Sequence, residues 1–514
     1  MQRDPVQLTR DSYDVLVVGG GIHGLFAAYD AAARGFRTAL VDRADLGGGV
    51  SANHQRTIHG GLRALQSGDV GKTRAQILER RTWARIAPHL LRPLPFLFGT
   101  YRSPRRSRIA VGAGLKFYDF LARDRNDGVT PELHLPKGRL ESAAATMRLF
   151  AGIAERGLTG GAMWYDYQTT QAERLTWAVA VAARNAGATL ANYVSVTGPN
   201  AAQSGVHAVD ILTGARFEIH AKVVVLAAAE GLGALNAAFG LGAAPPLVRA
   251  MNLLIERPAM DMALVAPASS GRMLTAVPWR GYLLVGTSQS DDVVPAGTRA
   301  SPEEIAEFLD DANGAFPRVN ATPTDIRSVQ QGLVPAAETK HGLDLIPDFD
   351  VRYDTARPNI VTLIGAKYTT ARLAAERAID QASRHLGHTG HRCSTAARPL
   401  PHASIADVEG QLLETARALD LTLDIGLQQH LAAWYGTEAA DVLRFAMASP
   451  WRTERVSDES PVLCAEIAYA RRYAMATMLD DAIDRRTALG GTGRVPPAVV
   501  ARAKDVFDAT TPAG

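Results

Sequence analysis

The stretch "YDVLVVGGGIHGLFAAYDAAARGFRTALVD" near the N-terminus constrains the fold more than any other part of the chain. "DVLVVGG" is a short, mostly β-branched apolar run ending in glycines, the pattern of a buried parallel strand. "GLFAAYDAAARG" continues with apolar residues at helical spacing and a terminal glycine, Gly35. "FRTALVD" is then a second strand that ends in an acid. Gly19, Gly21 and Gly24 have G-x-G-x-x-G spacing across the first junction. Gly19 permits the tight turn, Gly21 lets the backbone approach a pyrophosphate, and Gly24 lets the helix pack closely on the strand. The helix N-terminus offers unpaired N–H groups to the anion. Asp42, about 20 residues on, stands where a carboxylate accepts ribose hydroxyls. The order strand, turn, helix, strand, acid predicts an α/β dinucleotide-binding fold, and both FAD and NAD fit it.

At 514 residues the chain exceeds a single core and predicts two or three domains. Its 55 basic and 52 acidic residues leave a net charge of +3, which argues against nucleic acid as the main partner. The two cysteines, Cys393 and Cys464, make no metal-ligand spacing and suit a reducing compartment, so no metal is expected. No apolar stretch precedes the first strand, and no run of about 18 apolar residues predicts a membrane span. These readings predict a cytoplasmic protein.

The next segment, "VSANHQRTIHGGLRAL", holds two histidines, two arginines and paired glycines. Here the chain resembles the FAD-dependent glycerol-3-phosphate dehydrogenase family, whose members carry a serine-rich stretch followed by I-H-G-G-L-R-Y-L. Ile58, His59, Gly60, Gly61, Leu62, Arg63 and Leu65 match that pattern. The resemblance continues through "YDYQTTQAERLTWAVAVAARNAGATLANYVSVTG", "AKVVVLAAAEGLGALN" and "GRMLTAVPWRGYLLVGTSQSD". It reaches "NIVTLIGAKYTTARLAAERAID", similar to the family's closing G-G-K-x-T-T-x-R segment, and "PVLCAEIAYARRYAMATMLDDAIDRRTAL".

The resemblance implies an α/β FAD-binding, Rossmann-like domain, an antiparallel-sheet substrate domain and a C-terminal helical domain. Residues 1–75, 155–245 and 338–385 are expected to form the FAD domain. Residues 76–154 and 246–337 are expected to form the substrate domain, with strands in "VRAMNLLIERP", "GRMLTAVPWR" and "GYLLVGTSQS". "RPLPHASIADVEG" reads as a linker to a helical domain over 402–514.

FAD is the implied cofactor. Gly19, Gly21, Gly24, Asp42, Ser51, His54 and Val196 are expected to bind it, Val196 beside the adenine. Gly60 and Gly61 are expected beside the isoalloxazine, because glycine lets backbone approach a flat ring. Gly365, Lys367 and Thr369 are expected at the flavin's pyrimidine edge, with Thr369 or Thr370 capping the following helix. A plain helix cap is the other reading of "GAKYTT". Oxidising a secondary alcohol needs a hydride acceptor, a proton acceptor and a cation for an anionic tail. His59, Arg63 and Lys367 are the candidates. Arg63 would contact the substrate's anionic or polar group, and Lys367 would polarise the substrate oxygen or the flavin. His59 either orients the flavin or belongs to a proton path. His54 either hydrogen-bonds the cofactor or is linked to it covalently.

Three departures from the family pattern bear on substrate. Ala64 stands where the family has tyrosine, Val334 where a G-x-R-P turn carries arginine, and Asn252 where a histidine is common. Valine cannot hold a phosphate. Arg272 or Arg249 is the candidate replacement, and Asn252 and Arg272 join Arg63 as expected substrate contacts. The reading is therefore a dehydrogenase for a polyol phosphate or related alcohol. An amine or hydroxy-acid oxidase, a non-catalytic flavin module and an NAD-dependent dehydrogenase are the alternatives. The expected electron acceptor is a quinone or another carrier, and nothing local in the sequence distinguishes it from oxygen. A homo-oligomer is expected. "TYRSPRRSRIAVGAGLKFYDFLARDRN" places Arg102, Arg105, Arg106 and Arg108 before an amphipathic run with Phe117, Phe120 and Leu121. Over 101–121 it reads either as a peripheral contact with the inner membrane face or as a charged turn leading into a packed helix.

Overall fold

The computed structural model describes every residue except 2, 105, 259, 341, 389, 405, 406 and 512–514. Among the described residues two large sheets stand side by side. The strands Phe349–Asp354, Arg357–Gly365, Arg216–Leu226, Ser12–Val18, Thr38–Val41 and Thr189–Ala191 lie in that order in the first. The five strands from Arg357–Gly365 to Thr189–Ala191 are parallel neighbours. Their side chains are buried on both faces. Val15 and Val17 point to one side, against Leu25, Phe26, Leu175, Val179, Ala374 and Ile379 of three helices. Leu16 and Val18 point to the other, against Leu232, Leu235 and Phe239. This two-sided burial explains why these strands read as continuous apolar runs. Each fully buried large apolar side chain contributes about 1.5–3 kcal/mol.

The second sheet runs Gly342–Leu345, Ile326–Thr339, Leu247–Ile255, Tyr282–Gln289, Met273–Trp279, Ala263–Pro267, Leu91–Tyr101, Leu158–Thr169, Thr57–Ile58. The three strands expected from sequence are there. The sheet is antiparallel except where Ala263–Pro267 meets Leu91–Tyr101 in parallel. The helix Pro302–Ala315 covers it through Phe308, Leu309 and Ala312, and a Ser301–Glu304 capping box starts that helix.

Domain boundaries differ from expectation at three places. Leu158–Thr169 pairs with Leu91–Tyr101 and so belongs to the second sheet, not with 155–245. Thr57–Ile58 also joins the second sheet, although it lies inside 1–75. Ile326–Thr339 and Gly342–Leu345 pair with each other, so residues 338–339 and 342–345 stay with the second sheet. In each case a long-range pairing partner decides membership. The expected linker is shorter than it reads, because a helix begins at Val408. Ile405 and Ala406 within it lie outside the described residues.

Helices from Val408–Ala418 to Pro497–Ala509 form the C-terminal region around two apolar clusters. Buried charges join it to the first sheet. Asp45, just past the second strand, takes Arg485 at 2.6 Å, Arg486 at 2.8 Å and the Asn192 amide at 3.0 Å. Arg486 also lies over the Trp177 ring. The paired geometry matters here, because removing one partner of a buried ion pair strands the other's charge.

Candidate active site

The first parallel strand ends at Gly19, which has φ +116°. A Cβ there would lie 2.4 Å from the Ala227 carbonyl oxygen, so only glycine makes this turn. A Cβ on Gly24 would lie 1.8 Å from the Gly19 oxygen. Gly21 differs from both. It precedes the helix Ile22–Ala33 in extended backbone, and a Cβ on it would meet only the Ser51 hydroxyl, at 3.1 Å. Ser51 accepts the Ile22 N–H at 3.0 Å, which ties the serine loop to the helix start. Asp42 accepts the Gly20 and Ala44 N–H groups at the end of its strand. Burial raises its carboxyl to about 6, against those two hydrogen bonds. Val194 N–H donates to the Asp42 carbonyl, and Val196 follows two residues further along the strand Val194–Pro199. The His23 Nε2, on the first helical turn, is buried without a partner. A Cβ on Gly365 would lie 2.0 Å from that atom. An open Gly21, a helix N-terminus, an acid at the second strand's end and an orphaned buried imidazole nitrogen fit an FAD.

The loop from Gln55 to Gly61 crosses from the first sheet to the second. Gln55 Nε2 donates to the Thr275 and Gly286 carbonyls, both at 2.9 Å. Thr57–Ile58 pairs with Leu158–Thr169. His59, whose side chain is 47% exposed, therefore sits at the rim between the sheets. Its N–H donates to Thr369 Oγ1 at 3.0 Å, which binds the loop to the closing segment. Its Nδ1 lies 3.2 Å from Asp166 Oδ2 and its Nε2 2.7 Å from Thr57 Oγ1. Asp166 Oδ1 accepts from Gly60 N–H at 2.8 Å and from Arg80 at 2.5 Å. Burial pushes the Asp166 carboxyl up, but Arg80 and His59 outweigh it and hold it below the ordinary range.

Lys367 follows Gly365 at the end of the strand Arg357–Gly365. Burial lowers its ammonium below the usual lysine range; Asp348 opposes this, while Arg63 and Lys72 add to it. Arg63 is exposed on the short helix Leu62–Gln66. Neither Arg63 nor Lys367 has a hydrogen bond or ion pair among the described residues.

Several expected roles change. At Gly60 and Gly61 the protein's own packing already excludes a side chain. A Cβ on Gly60 would meet the Tyr118 hydroxyl at 2.0 Å and Arg80 at 2.4 Å. Gly61 has φ +83° and packs against Gln76 and Thr73. Neither Thr369 nor Thr370 caps the helix Ala371–His385: Thr369 Oγ1 is taken by His59, and the Thr370 hydroxyl donates to Asp348. Asn252 is buried, donating one amide N–H to the Asn53 carbonyl and accepting from Thr287. These two bonds brace the serine loop. Arg272 is tied to Asp291 and the Gln289 carbonyl at a hairpin tip. Arg249 is paired with Glu304. Both arginines are thus already paired within the protein. Val334 packs with Val248, Ala336 and Val50. The His54 ring stacks on Tyr368 at 4.3 Å, its Nδ1 accepts the Arg56 N–H, and its Nε2 is buried without a partner.

Sequence reasoning missed Asp166, Arg80 and Tyr118, which cage the I-H-G-G loop. The local signal was an acid inside the aromatic-rich strand "MWYDYQT".

A glycine-rich parallel sheet beside an antiparallel sheet, with cations at the rim between them, is the architecture of a flavin-dependent oxidoreductase. A model of the FAD-dependent oxidoreductase family matches residues 14–381, and one for the C-terminal domain of alpha-glycerophosphate oxidase matches 361–508. The chain is 30% identical to glycerol-3-phosphate dehydrogenase of Synechocystis, over 94% of this chain and 90% of that one. It is 32% identical to glycerol-3-phosphate dehydrogenase 1 of Mycobacterium tuberculosis, over 96% and 94%. The fold matches the FAD complex of glycerol-3-phosphate dehydrogenase from Bacillus halodurans with a TM-score of 0.73, at 24% identity, over 97% of this chain and 90% of that one. The chain belongs to the FAD-dependent glycerol-3-phosphate dehydrogenase family. It is an FAD-dependent enzyme.

Proposed function

We propose that the protein oxidises the secondary alcohol of a polyol-type substrate to a ketone, and that glycerol 3-phosphate is a poor substrate for it. FAD, when bound, accepts the hydride. Gly21, the first turn of Ile22–Ala33 and Asp42 would hold its pyrophosphate and ribose. The observation that carries the reading is the junction of the loop with the closing segment: the His59 N–H donates to Thr369, two residues from Lys367, and the nearby Arg63 charge lowers the Lys367 ammonium, with neither cation paired among the described residues. Lys367 would bind and polarise the substrate oxygen, Arg63 would contact a polar or anionic group, and His59 would take the hydroxyl proton. Val334 in an apolar cluster, with Arg249 and Arg272 both committed elsewhere, supports a substrate whose remote end is not a phosphate.

The test is anaerobic mixing of the yellow holoenzyme with polyols, polyol phosphates, hydroxy acids and amines. Uncharged or weakly anionic secondary alcohols should bleach the flavin. Fast bleaching by submillimolar glycerol 3-phosphate would overturn the substrate part of the proposal.

Electrons then pass to a quinone or another carrier. A membrane contact through the helix Arg108–Leu121 fits a lipid-soluble acceptor. Its outer face exposes Ile109 (86%), Phe120 (61%) and Phe117 (45%), while Leu115 and Tyr118 are buried on the inner face. Arg102 and Lys116 are exposed nearby. Arg108 is not free for lipid, because it donates to the Glu141 carbonyl. Arg105 lies outside the described residues. No helix among the described residues is long and apolar enough to cross a membrane. The protein should co-sediment with phosphatidylglycerol vesicles, and Phe117→Ser with Phe120→Ser should abolish this without changing flavin content. Equal sedimentation of the two proteins would remove the helix from the account.

A further inference from the structure

We infer that Asp166 is the positioning residue that fixes His59 as proton acceptor, with Nδ1 protonated toward the carboxylate and the Nε2 lone pair left for the substrate. The inference rests on the alcohol-oxidising reading above and adds to it the residue through which His59 is set.

A neutral imidazole carries one proton, and whichever nitrogen bears it cannot accept another. The protein must therefore choose the tautomer. Asp166 makes the choice. It is buried, with only 3% of its side chain exposed, and its carboxyl is held on the ionised side. One oxygen is filled by Arg80 and the Gly60 N–H. The other stands 3.2 Å from His59 Nδ1. An ionised carboxylate can only accept, so Nδ1 must carry the proton. Nε2 is then bare, and the Thr57 hydroxyl donates to it at 2.7 Å until a substrate hydroxyl competes.

The frame around this pair is rigid. Arg80 is fully buried and is kept protonated by Tyr118 and Asp166, against the cost of its burial. Tyr118 donates to the Gly60 carbonyl, and Thr369 accepts the His59 amide. Trp83 Nε1 donates to the Thr369 carbonyl at 2.9 Å. Only the imidazole edge is open to the cleft.

In the step this sets up, the substrate O–H bond breaks and its proton forms an N–H bond at Nε2. The C–H electron pair leaves with the hydrogen as a hydride to oxidised FAD, the two-electron oxidant of the proposed reaction. The alcohol becomes a ketone. The imidazolium is balanced by Asp166, which stays ionised.

A purely structural Asp166, serving only as the counter-ion of Arg80, predicts different results. The first readout needs no substrate: nitrogen NMR of the holoenzyme labelled in its 13 histidines, with His59→Gln identifying the His59 signals. The expected spectrum shows a single Nδ1–H tautomer for His59, replaced by a mixture in Asp166→Asn. An Nε2–H tautomer in the native protein, or an unchanged signal in Asp166→Asn, would overturn the inference. If Asp166→Asn does not yield folded yellow protein, Asp166→Glu should keep the native tautomer, and a mixture there would count against the inference.

The second readout is anaerobic flavin bleaching by saturating glycerol, sorbitol or glycerol 3-phosphate. His59→Gln and Asp166→Asn should each slow it by about 10²–10⁴-fold. The double variant should be no slower than His59→Gln alone, because Asp166 acts through the histidine. Multiplying losses in the double variant would show that Asp166 acts independently. If no alcohol bleaches the native flavin, the alcohol reading fails, while the tautomer result still decides the role of Asp166.

Discussion

The two glycines of the dinucleotide turn should fail in different ways when given side chains. Gly21 has φ −73° and ψ 176°, an extended conformation open to any residue. Only the Ser51 hydroxyl, at 3.1 Å, stands near its missing Cβ. Gly21→Val should therefore fold, with its branched side chain in the space a pyrophosphate needs. Losing two charge-assisted hydrogen bonds to the phosphates, at about 1.5–3 kcal/mol each, weakens FAD binding by roughly 10²–10⁴-fold. Gly24→Ala is the contrast. Its Cβ would fall 1.8 Å from the Gly19 oxygen, whereas real contacts of this kind essentially never lie under 3.0 Å. Helix and turn must part by about 1.2 Å, which as overpacking costs about 1–3 kcal/mol of stability and also misplaces the phosphate donors. Differential scanning of the apo proteins, with flavin content measured on the purified holo forms, separates the cases. Gly21→Val should keep the native melting temperature and lose FAD. Gly24→Ala should lose FAD and melt several degrees lower. Full flavin in Gly21→Val, or an unchanged melting temperature in Gly24→Ala, would refute the reasoning.

Lys367→Met should slow flavin reduction by at least about 10²-fold with little change in melting temperature, since burial already disfavours its charged form and it has no ion pair among the described residues. Asp42 supplies a pH dependence. Its folded carboxyl titrates at about 6, above the unfolded value of 3.8, so the apo protein loses stability as pH rises through that window. FAD binding has the opposite sign, because ribose hydroxyls need the ionised form; affinity should fall below about pH 6, and Asp42→Asn should flatten both curves. For His54, stacked on Tyr368 and bonded to Arg56, the flavin should pass into the supernatant on acid precipitation, leaving a polypeptide of unmodified mass. Yellow colour in the pellet would show a covalent link.

Local geometry was legible in the sequence, and partners distant along the chain were not. The strand, glycine turn, helix and second strand ending before Asp42 are where the sequence puts them, because their constraints lie within about one β-α-β unit. The strand Leu158–Thr169 was assigned to the wrong sheet because its partner, Leu91–Tyr101, is far away in sequence. His59 stood out, but Asp166 is 107 residues further on, and nothing near His59 points to it. Gly60 and Gly61 drew attention for a flavin, while the groups that exclude a side chain there are Tyr118, Arg80, Gln76 and Thr73. Arg272 is a candidate substrate contact by sequence, but its partner Asp291 lies just past the far end of the next strand, Tyr282–Gln289.

The central claim is that the rim between the two sheets takes a hydride from a carbinol carbon and a proton from its hydroxyl oxygen. Matched pairs of substrates test it most directly: a secondary polyol and its counterpart bearing an amine at the same carbon, each mixed anaerobically with the holoenzyme. The alcohol should bleach the flavin and yield a ketone, with slower bleaching when deuterium replaces hydrogen at the carbinol carbon. The amine should leave the flavin oxidised. Bleaching by the amine alone would contradict the account, as would no bleaching by any alcohol from an enzyme that retains its FAD.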